Sequence, residues 1–473
     1  MSIKKNFIYS LILTASNYIF PLLVYPYISR VLGVDKIGVC NFADSVVNYF
    51  VLFSTLGISI VGIREIASAK QDQKRLNVVF TSLMAHIIIP TFFICILFLV
   101  CVFTIDRLYE FKEILLVGLG KIIGTAFLLD WFYKGIENFK YITYRTIAIK
   151  TIYVLLVFLL IKNPDDYITY FVLTTVMVMA NSVYNLCYSK HFVNYQFDVK
   201  DCIKLIPSNL INGLYLFLNT MYSTLNVAFL GFVSTTTQVG YYATASKIFG
   251  IVLAVYTAFT SVLLPRMSML YTEHKMEEFS TLIQKSISVL LTFAVPVVVV
   301  FSILAPQIVN VISGPGYEGA YIPAIISMPL IFVVGYEQIL VVQIITPMRQ
   351  DRIKLINGVV GACVGILGNL LLVKTFMAIG ATIVWAASEI SVLFSAQYFV
   401  TKLNGMRFPS LNLMKSLVAY TPLAIMMFVI STYVDNSFLV LGTAMIISVL
   451  YFAVYEICIK KNSLLINVMQ NLM

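Results

Sequence analysis

Residues 29–47 read SRVLGVDKIGVCNFADSVV and separate two long apolar runs of the chain. Arg30 lies at the end of the first run, and Asp44 lies inside the second. A membrane-spanning helix needs about 20 mainly apolar residues, so the two runs predict two spanning helices. A charged side chain at the bilayer centre costs roughly 2.5–3.5 kcal/mol and usually faces an interior pathway. The stretch therefore predicts a helical hairpin whose second helix lines a wet cavity through Asp44.

The whole chain has the composition of a membrane protein. Of its 473 residues, 60% are hydrophobic and 11% are charged, and the mean hydropathy is +0.92. Soluble domains carry about 25% charged residues and about 45–50% apolar ones. The net charge of +10 fits lysines and arginines kept in cytoplasmic loops, so we expect no nucleic-acid partner. The seven cysteines and three histidines have no metal-ligand spacing, and we expect no metal site.

Fourteen apolar runs are long enough to be predicted as spanning helices. They cover residues 7–29, 38–62, 77–104, 113–135, 143–161, 166–188, 206–231, 238–263, 284–312, 321–345, 355–374, 378–400, 414–434 and 437–458. Segments on the side of the N-terminus hold 24 lysines and arginines, whereas segments on the opposite side hold six. Because cytoplasmic loops carry this excess, both termini are predicted to be cytoplasmic. The opposite loops are too short for a catalytic domain, which argues against an enzyme.

A second stretch, residues 231–249 (GFVSTTTQVGYYATASKIF), repeats the first one faintly. A shift of 202 residues aligns five identical pairs without a gap: Gly38 with Gly240, Ala43 with Ala245, Thr55 with Thr257, Ser59 with Ser261, and Arg64 with Arg266. The shift spans six helices and keeps their orientation, so it predicts parallel repeats related by an axis along the membrane normal. The predicted fold is an all-α polytopic membrane protein with lobes at 1–205 (helices 1–6) and 206–405 (helices 7–12). Helices 13–14 and a cytoplasmic tail follow at 406–473.

Two of the predicted helices carry polar stripes whose members share one helical face. Helix 2 contributes Asn41, Asp44, Asn48 and Thr55, and helix 7 contributes Asn212, Tyr215, Asn219, Tyr222 and Asn226. Lipid cannot satisfy these groups, so they must face protein or water. We predict that they line a cavity whose amides and phenols suit sugars. Hydrogen bonding between helices is the alternative.

Five motifs resemble those of a known family. They are SNYIFPLLVYPYISRVLG with the IG and FAD that follow, WFYKGIENFKY (131–141), GFVSTTTQVGYYATASKI (231–248), LLPRMS (263–268) and SGPGYEGA (313–320). In this order they are similar to bacterial O-antigen and capsular-repeat flippases of the Wzx type, from about residue 17 to residue 350. These flippases belong to the superfamily that also contains multidrug and toxin exporters and lipid II flippases. The resemblance implies two six-helix lobes around a central cavity, with two additional helices in some members.

The resemblance also implies a function. It implies a flippase that moves undecaprenyl-pyrophosphate-linked oligosaccharide repeat units, for O-antigen, capsule or exopolysaccharide, across the bacterial inner membrane. Movement from the cytoplasmic to the periplasmic face would occur by alternating access. The implied partners are the lipid-linked oligosaccharide, membrane lipid, and a polysaccharide polymerase with its chain-length regulator. No cofactor is implied, and coupling to a gradient of H+ or Na+ is an expectation.

Cationic residues are the candidates for binding the head group of such a substrate. A pyrophosphate is dianionic and favours several charged donors, for which Arg30 and Lys247 are best placed in the sequence. The 202-residue shift aligns Lys247 with Ser45, next to Asp44. An ion pair between Asp44 and Lys247 that ties the lobes together is the alternative. Arg64 and Arg266 lie at cytoplasmic helix ends, where they either guide the head group in or obey the positive-inside rule.

Several further ionisable residues fall inside or near the predicted spans. Asp130, Glu337 and Glu389 are candidates to bind a coupling cation, because intramembrane carboxylates mark ion pathways. Lys121, Lys134 and Glu456 are expected to snorkel from helix ends toward water.

Three rival functions make different demands on the sequence. A multidrug exporter of the same superfamily would need an acidic cavity, whereas Arg30 and Lys247 here compete with Asp44. A lipid II flippase is the second rival. A membrane enzyme such as a repeat-unit polymerase would need a catalytic loop outside, and the predicted outside loops are too short for one.

Overall fold

The computed structural model describes residues 3–455, and for residues 3, 4, 7, 222 and 223 it describes the backbone only. This part of the chain is helical and contains no β-strand. The predicted all-α class is therefore confirmed.

Nineteen α-helices follow one another along the described chain, with short 3₁₀ turns and two π-helical segments between some of them. They are α1 (Ile3–Thr55), α2 (Ile58–Ala69), α3 (Gln73–Thr104), α4 (Asp106–Tyr109), α5 (Lys112–Ala126), α6 (Asp130–Gly135), α7 (Phe139–Leu160), α8 (Tyr167–Ser189), α9 (Val199–Val233), α10 (Thr236–Thr272), α11 (Met276–Ile303), α12 (Ala305–Ser313), α13 (Tyr321–Ser327), α14 (Leu330–Gln338), α15 (Asp351–Gly368), α16 (Lys374–Asn404), α17 (Ser410–Ala419), α18 (Thr421–Tyr433) and α19 (Ser437–Ala453). The π-helical segments are Ile339–Ile345 and Asn369–Val373.

Nine helical stretches of the described chain are long and apolar enough to cross a membrane, and two bent helix pairs raise the number to eleven. The predicted count of fourteen is not confirmed. Two of the stretches, Ile8–Ala69 and Asp351–Asn404, contain 62 and 54 residues, more than twice what one crossing needs. The prediction divided each of them into two spans. It also counted residues 437–458, where the described helix Ser437–Ala453 is a shorter apolar segment.

Two local backbone conformations bend these long stretches. Gly33 has a φ of +74°, a left-handed value that glycine adopts without steric cost, and it bends α1. Met377 has a φ of +49° and bends the start of α16. The first bend lies inside the stretch 29–47, at the predicted boundary between helices 1 and 2.

The chain packs into two compact units. The first contains the residues up to Ala243 together with Arg352–Val392, and the second contains Thr244–Asp351 and the residues from Leu393 onward. The predicted lobes at 1–205 and 206–405 describe a repeat along the sequence, which these packing units do not test. That division stays a prediction.

In the first unit, α1 packs against α3, α5, α7 and α9, while α2 packs against α6. Close contacts at small residues make this packing possible. A Cβ on Gly62 would lie 2.8 Å from the indole of Trp131, so the ring of α6 lies directly on the backbone of α2. The rings of Phe80 and Phe132 meet at 4.9 Å and extend this aromatic core into α3. In the second unit, α11 packs against α14, α17 and α18.

The connection between α9 and α10 is held by charged residues of the first unit. The Arg107 side chain donates to Gly231 O at 2.9 Å and to Ser234 O at 2.7 Å, at the C-terminal end of α9. Asp35 accepts hydrogen bonds from the hydroxyls of Thr236 and Thr237 at the start of α10. Each charge has the sign that stabilises the helix end it contacts.

Candidate functional site

The carboxylate of Asp44 is bound on both oxygens by residues of the first unit. Lys121 Nζ of α5 lies 2.6 Å from Asp44 Oδ1, and Asn48 Nδ2 donates to Asp44 Oδ2 at 3.2 Å. Asp44 and Asn48 share a face of α1 because they are four residues apart. The predicted stripe on helix 2 therefore includes a hydrogen-bonded pair with an ionic partner on a neighbouring helix.

Lys121 is buried, which corrects the expectation that it snorkels to water. Its side chain is 11% exposed, and its ammonium lies 3.9 Å from the centroid of the Phe171 ring of α8. A desolvated ammonium gains from the negative face of an aromatic ring. Gly118 lets α5 come this close, because a Cβ there would lie 2.4 Å from Val47 Cγ2 on α1. The Lys121 ammonium therefore contacts the Asp44 carboxylate and the Phe171 ring and does not extend into water. Glu456 lies outside the described residues.

Asp44 has Lys121 as its ion-pair partner in the described chain. The ion-pair partner that the structure shows for Asp44 is therefore a lysine of the same unit, whereas the sequence left open an ion pair with Lys247. The Asp44 side chain remains 44% exposed, so its carboxylate can still be reached by a ligand. Tyr153 and Tyr170, which hydrogen-bond to each other, lie within electrostatic range of it. The site combines a carboxylate, an ammonium, an amide and two phenols.

The stripe predicted on helix 7 lies on α9 and divides into two parts. Asn212, Tyr215 and Asn219 are half-buried, and the Tyr222 side chain lies outside the described residues. Asn226 is buried and accepts a hydrogen bond from Asn369 Nδ2 at 2.7 Å. It also donates to the Tyr242 hydroxyl at 3.3 Å. Asn226 thus hydrogen-bonds α9 to Tyr242 of α10 and to Asn369 of the second π-helical segment. Hydrogen bonding between helices is the alternative to cavity lining that the sequence left open.

Asp130 is part of a buried network in the first unit. Arg145 donates to Asp130 Oδ1 at 2.9 Å, and its guanidinium also contacts Asn185 Oδ1 on α8. The Tyr141 hydroxyl donates to the same amide oxygen at 3.1 Å, and Tyr133 donates to the Asn185 carbonyl at 2.6 Å. The Arg145 side chain is 3% exposed. This pairing favours a structural role for Asp130 over cation binding.

The other predicted residues are distributed over the two units. Arg30 and Lys247 are exposed, as is Arg266, and Asn41 and Thr55 are half-buried and bond to their own helix. Arg64 donates to Glu65 and to Ser208 at 2.9 Å. Glu389 is buried and accepts from the Trp385 indole at 2.9 Å, whereas Glu337 is half-buried on α14. No group of three or more His, Cys, Asp or Glu in the described part of the chain could hold a metal ion.

Four residues that organise these sites were not predicted from the sequence. Asp35 and Arg107 hold the α9–α10 connection, and Arg145 and Asn369 anchor the two buried networks. One signal could have identified Arg145, since it lies within the predicted span 143–161 and an intramembrane arginine calls for a partner. Asp35 and Arg107 lie in the short connections between predicted spans, where sequence spacing carries no such signal.

The chain is similar in sequence to one protein family and to individual bacterial proteins. The family model described as "Polysaccharide biosynthesis protein" matches residues 3–271. A protein of Escherichia coli strain K12 named "Putative O-antigen transporter" is 25% identical over 410 residues, which cover 85% of this chain and 97% of the relative. A protein of the same name from Shigella dysenteriae is 23% identical over 399 residues, which cover 82% of this chain and 98% of that relative.

Solved structures share the fold. The lipid II flippase MurJ in an inward closed conformation matches with a TM-score of 0.80 at 13% identity, covering 97% of this chain and 100% of the other. An inward-facing multidrug resistance transporter of the MATE family matches with a TM-score of 0.58 at 13% identity, over 82% of this chain and 95% of the other. At these identities the likeness concerns the fold alone.

The fold and its buried charged groups define a multi-pass membrane protein with the architecture shared by MurJ and the MATE transporters. The chain belongs to the polysaccharide biosynthesis protein family, whose model covers more than half of its length. The family resemblance drawn from the sequence motifs is confirmed.

Proposed function

We propose that this protein is a flippase for an undecaprenyl-pyrophosphate-linked oligosaccharide repeat unit. It would move the repeat unit from the cytoplasmic to the periplasmic face of a bacterial inner membrane by alternating access. The glycan head would pass through a polar interior while the lipid tail stays in the bilayer. The protein would act as a transporter and not as an enzyme.

One observation carries this proposal, namely that the sequence relatives and the fold neighbour each cover most of the chain. The relatives from Escherichia coli and Shigella dysenteriae are named as O-antigen transporters and align along nearly their full length. The fold likeness to a lipid II flippase covers 97% of this chain. The names of the relatives support an O-antigen substrate, and the fold likeness supports the architecture of a transporter.

The chemistry of the first unit supports a substrate that is both sugar-bearing and anionic. Asp44 and Asn48 offer acceptors and donors to hydroxyl groups, and Asp44 is partly exposed. Arg30 is an exposed cation in the same unit, and Lys247 is an exposed cation in the second unit. Phosphates favour such charged donors. An inside-negative potential would also help an anion to move outward, by about 2.3 kcal/mol per charge per 100 mV.

The test is deletion of the gene in its host, with staining of surface polysaccharide and an assay of which membrane face holds the lipid-linked repeat unit. Loss of surface glycan with repeat units trapped on the cytoplasmic face is expected. Asp44→Ala and Lys247→Ala should reproduce this loss while the protein stays in the membrane. Lys200→Ala serves as a matched control, because Lys200 is an exposed lysine outside the predicted cavity.

Intact surface glycan in the deletion strain, together with new sensitivity to cationic drugs, would contradict the proposal and favour a multidrug exporter. The fold likeness to a MATE transporter makes that outcome worth measuring. Arrest of cell-wall synthesis with normal surface glycan would favour a lipid II flippase.

The remaining expectations are part of the same proposal. Both termini would be cytoplasmic, which reporter fusions at each end can test. Coupling to H+ or Na+ through Asp130, Glu337 or Glu389 would make flipping depend on the corresponding gradient. A polymerase and a chain-length regulator would be partners on the periplasmic side.

A further inference from the structure

A lysine lies at the middle of α7, the part of a spanning helix that is farthest from water. α7 (Phe139–Leu160) is one of the helices that are long and apolar enough to cross a membrane. Lys150 follows Phe139 by eleven positions and precedes Leu160 by ten, so it is about 15 Å from either helix end. A lysine side chain does not extend over that distance to reach water. Lys150 must therefore be solvated at mid-membrane height by protein, by water or by a ligand.

The direct contacts of Lys150 leave its charge uncompensated. Its Nζ donates to Asn17 Oδ1 of α1 at 2.6 Å and lies 5.7 Å from the centroid of the Phe20 ring. Both of these groups are neutral. Among the described residues, no carboxylate lies within 4 Å of Lys150 Nζ. An ammonium has three N–H donors, and the Asn17 oxygen accepts from one of them, which leaves two for a ligand.

The charged groups around Lys150 do not neutralise it either. Asp130 lies within electrostatic range of Lys150, but Arg145 Nη2 donates to Asp130 Oδ1 at 2.9 Å. Two cations thus share one carboxylate, so the cluster of Asp130, Arg145 and Lys150 has an excess positive charge. Such a charge inside a membrane favours an anion as its ligand.

The Lys150 ammonium can be reached from outside the helix bundle of the first unit. Lys150 is half-buried, Asn17 is exposed, and the hydrogen bond between them is exposed as well. Hydrocarbon cannot satisfy an exposed amide and an ammonium. The surface that Asn17 and Lys150 share must therefore contact water or a polar ligand.

We propose that Lys150 and Asn17 bind a phosphate of the pyrophosphate that joins the isoprenoid carrier to the glycan, as this group crosses the middle of the membrane. The inference rests on the proposed flippase function. Phosphate oxygens accept from the two remaining ammonium N–H groups of Lys150, and Asn17 donates through Nδ2. A charged group is least stable at the bilayer centre, so a cation at this height lowers the barrier to flipping.

The full-length protein in neutral detergent provides the test, with geranylgeranyl pyrophosphate as the probe. The apparent Kd of this probe is measured by microscale thermophoresis for the wild type and for Lys150→Met. The substitution removes charge-assisted hydrogen bonds to the phosphate. It should weaken binding about tenfold or more.

Asn17→Asp distinguishes a ligand site from a lysine with a structural role. The new carboxylate would pair with Lys150, so the variant keeps the ammonium but cancels its charge. It should raise the apparent Tm of the protein without ligand and weaken binding of the probe about tenfold. An apparent Kd equal to that of the wild type in both Lys150→Met and Asn17→Asp would overturn the proposal and leave Lys150 a structural role.

Lys36→Met is the matched control. Lys36 is another half-buried lysine of the first unit, and its ammonium also lies over an aromatic ring, 4.5 Å from the centroid of Tyr167. Its replacement should leave the apparent Kd of the probe unchanged. An equal loss of affinity in Lys36→Met and Lys150→Met would show that net charge alone governs binding, which contradicts a site at Lys150.

Two further ligands identify the source of the phosphate. Inorganic pyrophosphate and phosphatidylglycerol should each bind more weakly than geranylgeranyl pyrophosphate. If either ligand bound as tightly as the probe and lost affinity equally in Lys150→Met, the assignment to the carrier would be wrong. The site would then belong to a free phosphate or to a phospholipid head group. None of these measurements involves transport, so failure here and failure of the proposed flippase activity can be told apart.

Discussion

Lys121 Nζ of α5 lies 2.6 Å from Asp44 Oδ1 of α1, and the two side chains differ in exposure. The lysine is 11% exposed and the aspartate is 44% exposed. Removing one member of a buried pair leaves the other charge uncompensated, and the cost depends on how deeply that remaining charge is buried. The loss of stability should therefore depend on which member of the pair is replaced.

We expect Asp44→Asn to destabilise the protein more than Lys121→Met does. Asp44→Asn leaves a buried ammonium without its counter-charge, which costs about 3 kcal/mol. Lys121→Met leaves a carboxylate that remains accessible and should cost about 1 kcal/mol. The double variant should be more stable than Asp44→Asn alone. Thermal unfolding of the four proteins in one detergent completes the double-mutant cycle, and strictly additive effects would exclude coupling between the two side chains.

Asp130→Asn should reduce stability in a way that distinguishes a structural carboxylate from a cation ligand. The substitution leaves the buried Arg145 guanidinium without an anionic partner, at a cost of about 3–5 kcal/mol. The expected result is a lower apparent Tm and a lower yield of folded protein. Asp165→Asn is the matched control, because Asp165 is exposed and should tolerate the change. Normal stability of Asp130→Asn with loss of gradient-dependent flipping would instead support cation binding.

Gly38→Ala should be strongly destabilising. A Cβ at this position would lie 1.8 Å from the carbonyl oxygen of Thr236, and backbone atoms cannot move aside as a flexible side chain can. Gly250→Ala adds the same methyl group to a helix position with no heavy atom within 4 Å. It should be neutral or stabilising by up to about 1 kcal/mol, because alanine favours helix over glycine. Equal behaviour of the two variants in thermal unfolding would show that α1 and α10 do not approach as described.

The ion pair of Glu137 with Lys70 predicts a small loss of stability in acid. The Lys70 ammonium lies 2.7 Å from Glu137 Oε1 and lowers the pKa of that carboxyl below its usual value of 4.5. A lowered pKa in the folded state stabilises the fold above the unfolded pKa, and this stabilisation is lost as the pH falls through the folded pKa. Because both side chains are well exposed, the contribution should be about 0.5 kcal/mol.

Apparent Tm values of the wild type and Glu137→Gln between pH 7 and pH 3 measure this contribution. The two proteins should differ slightly at pH 7 and converge in acid. A difference that grows as the pH falls would have the wrong sign for this ion pair.

Much of the architecture could be predicted because lipid imposes long apolar helices. The all-α class and the polar face of α1 followed from composition and spacing, and the family followed from the resemblance of the sequence motifs. The partners of the charged residues could not be predicted in this way. Lys121 is 77 positions from Asp44, and Arg145 reaches Asn185 across 40 positions. Such pairs depend on which helices are neighbours, and a single sequence does not carry that information.

The 202-residue shift paired two glycines that are in contact, but it did not identify the ion-pair partner of Asp44. The 202-residue shift pairs Gly38 with Gly240, and the two glycines meet in the first unit, where a Cβ on Gly38 would lie 3.0 Å from Gly240 N. The same shift brought Lys247 next to Asp44 in the alignment, whereas Lys121 is the ion-pair partner. Two positions paired by the 202-residue shift can touch, but the shift does not identify the partners of charged side chains.

The charges that hold the α9–α10 connection act over a distance shorter than the range at which salt screens them. Arg107 contacts the negative end of α9 at 2.9 and 2.7 Å, and Asp35 contacts the positive end of α10. The Debye length is about 30 Å at 0.01 M and about 8 Å at 0.15 M ionic strength. Changes of dissolved salt within this range should therefore leave the contacts in place, and the connection between the two helices should keep its geometry in dilute and in saline surroundings alike.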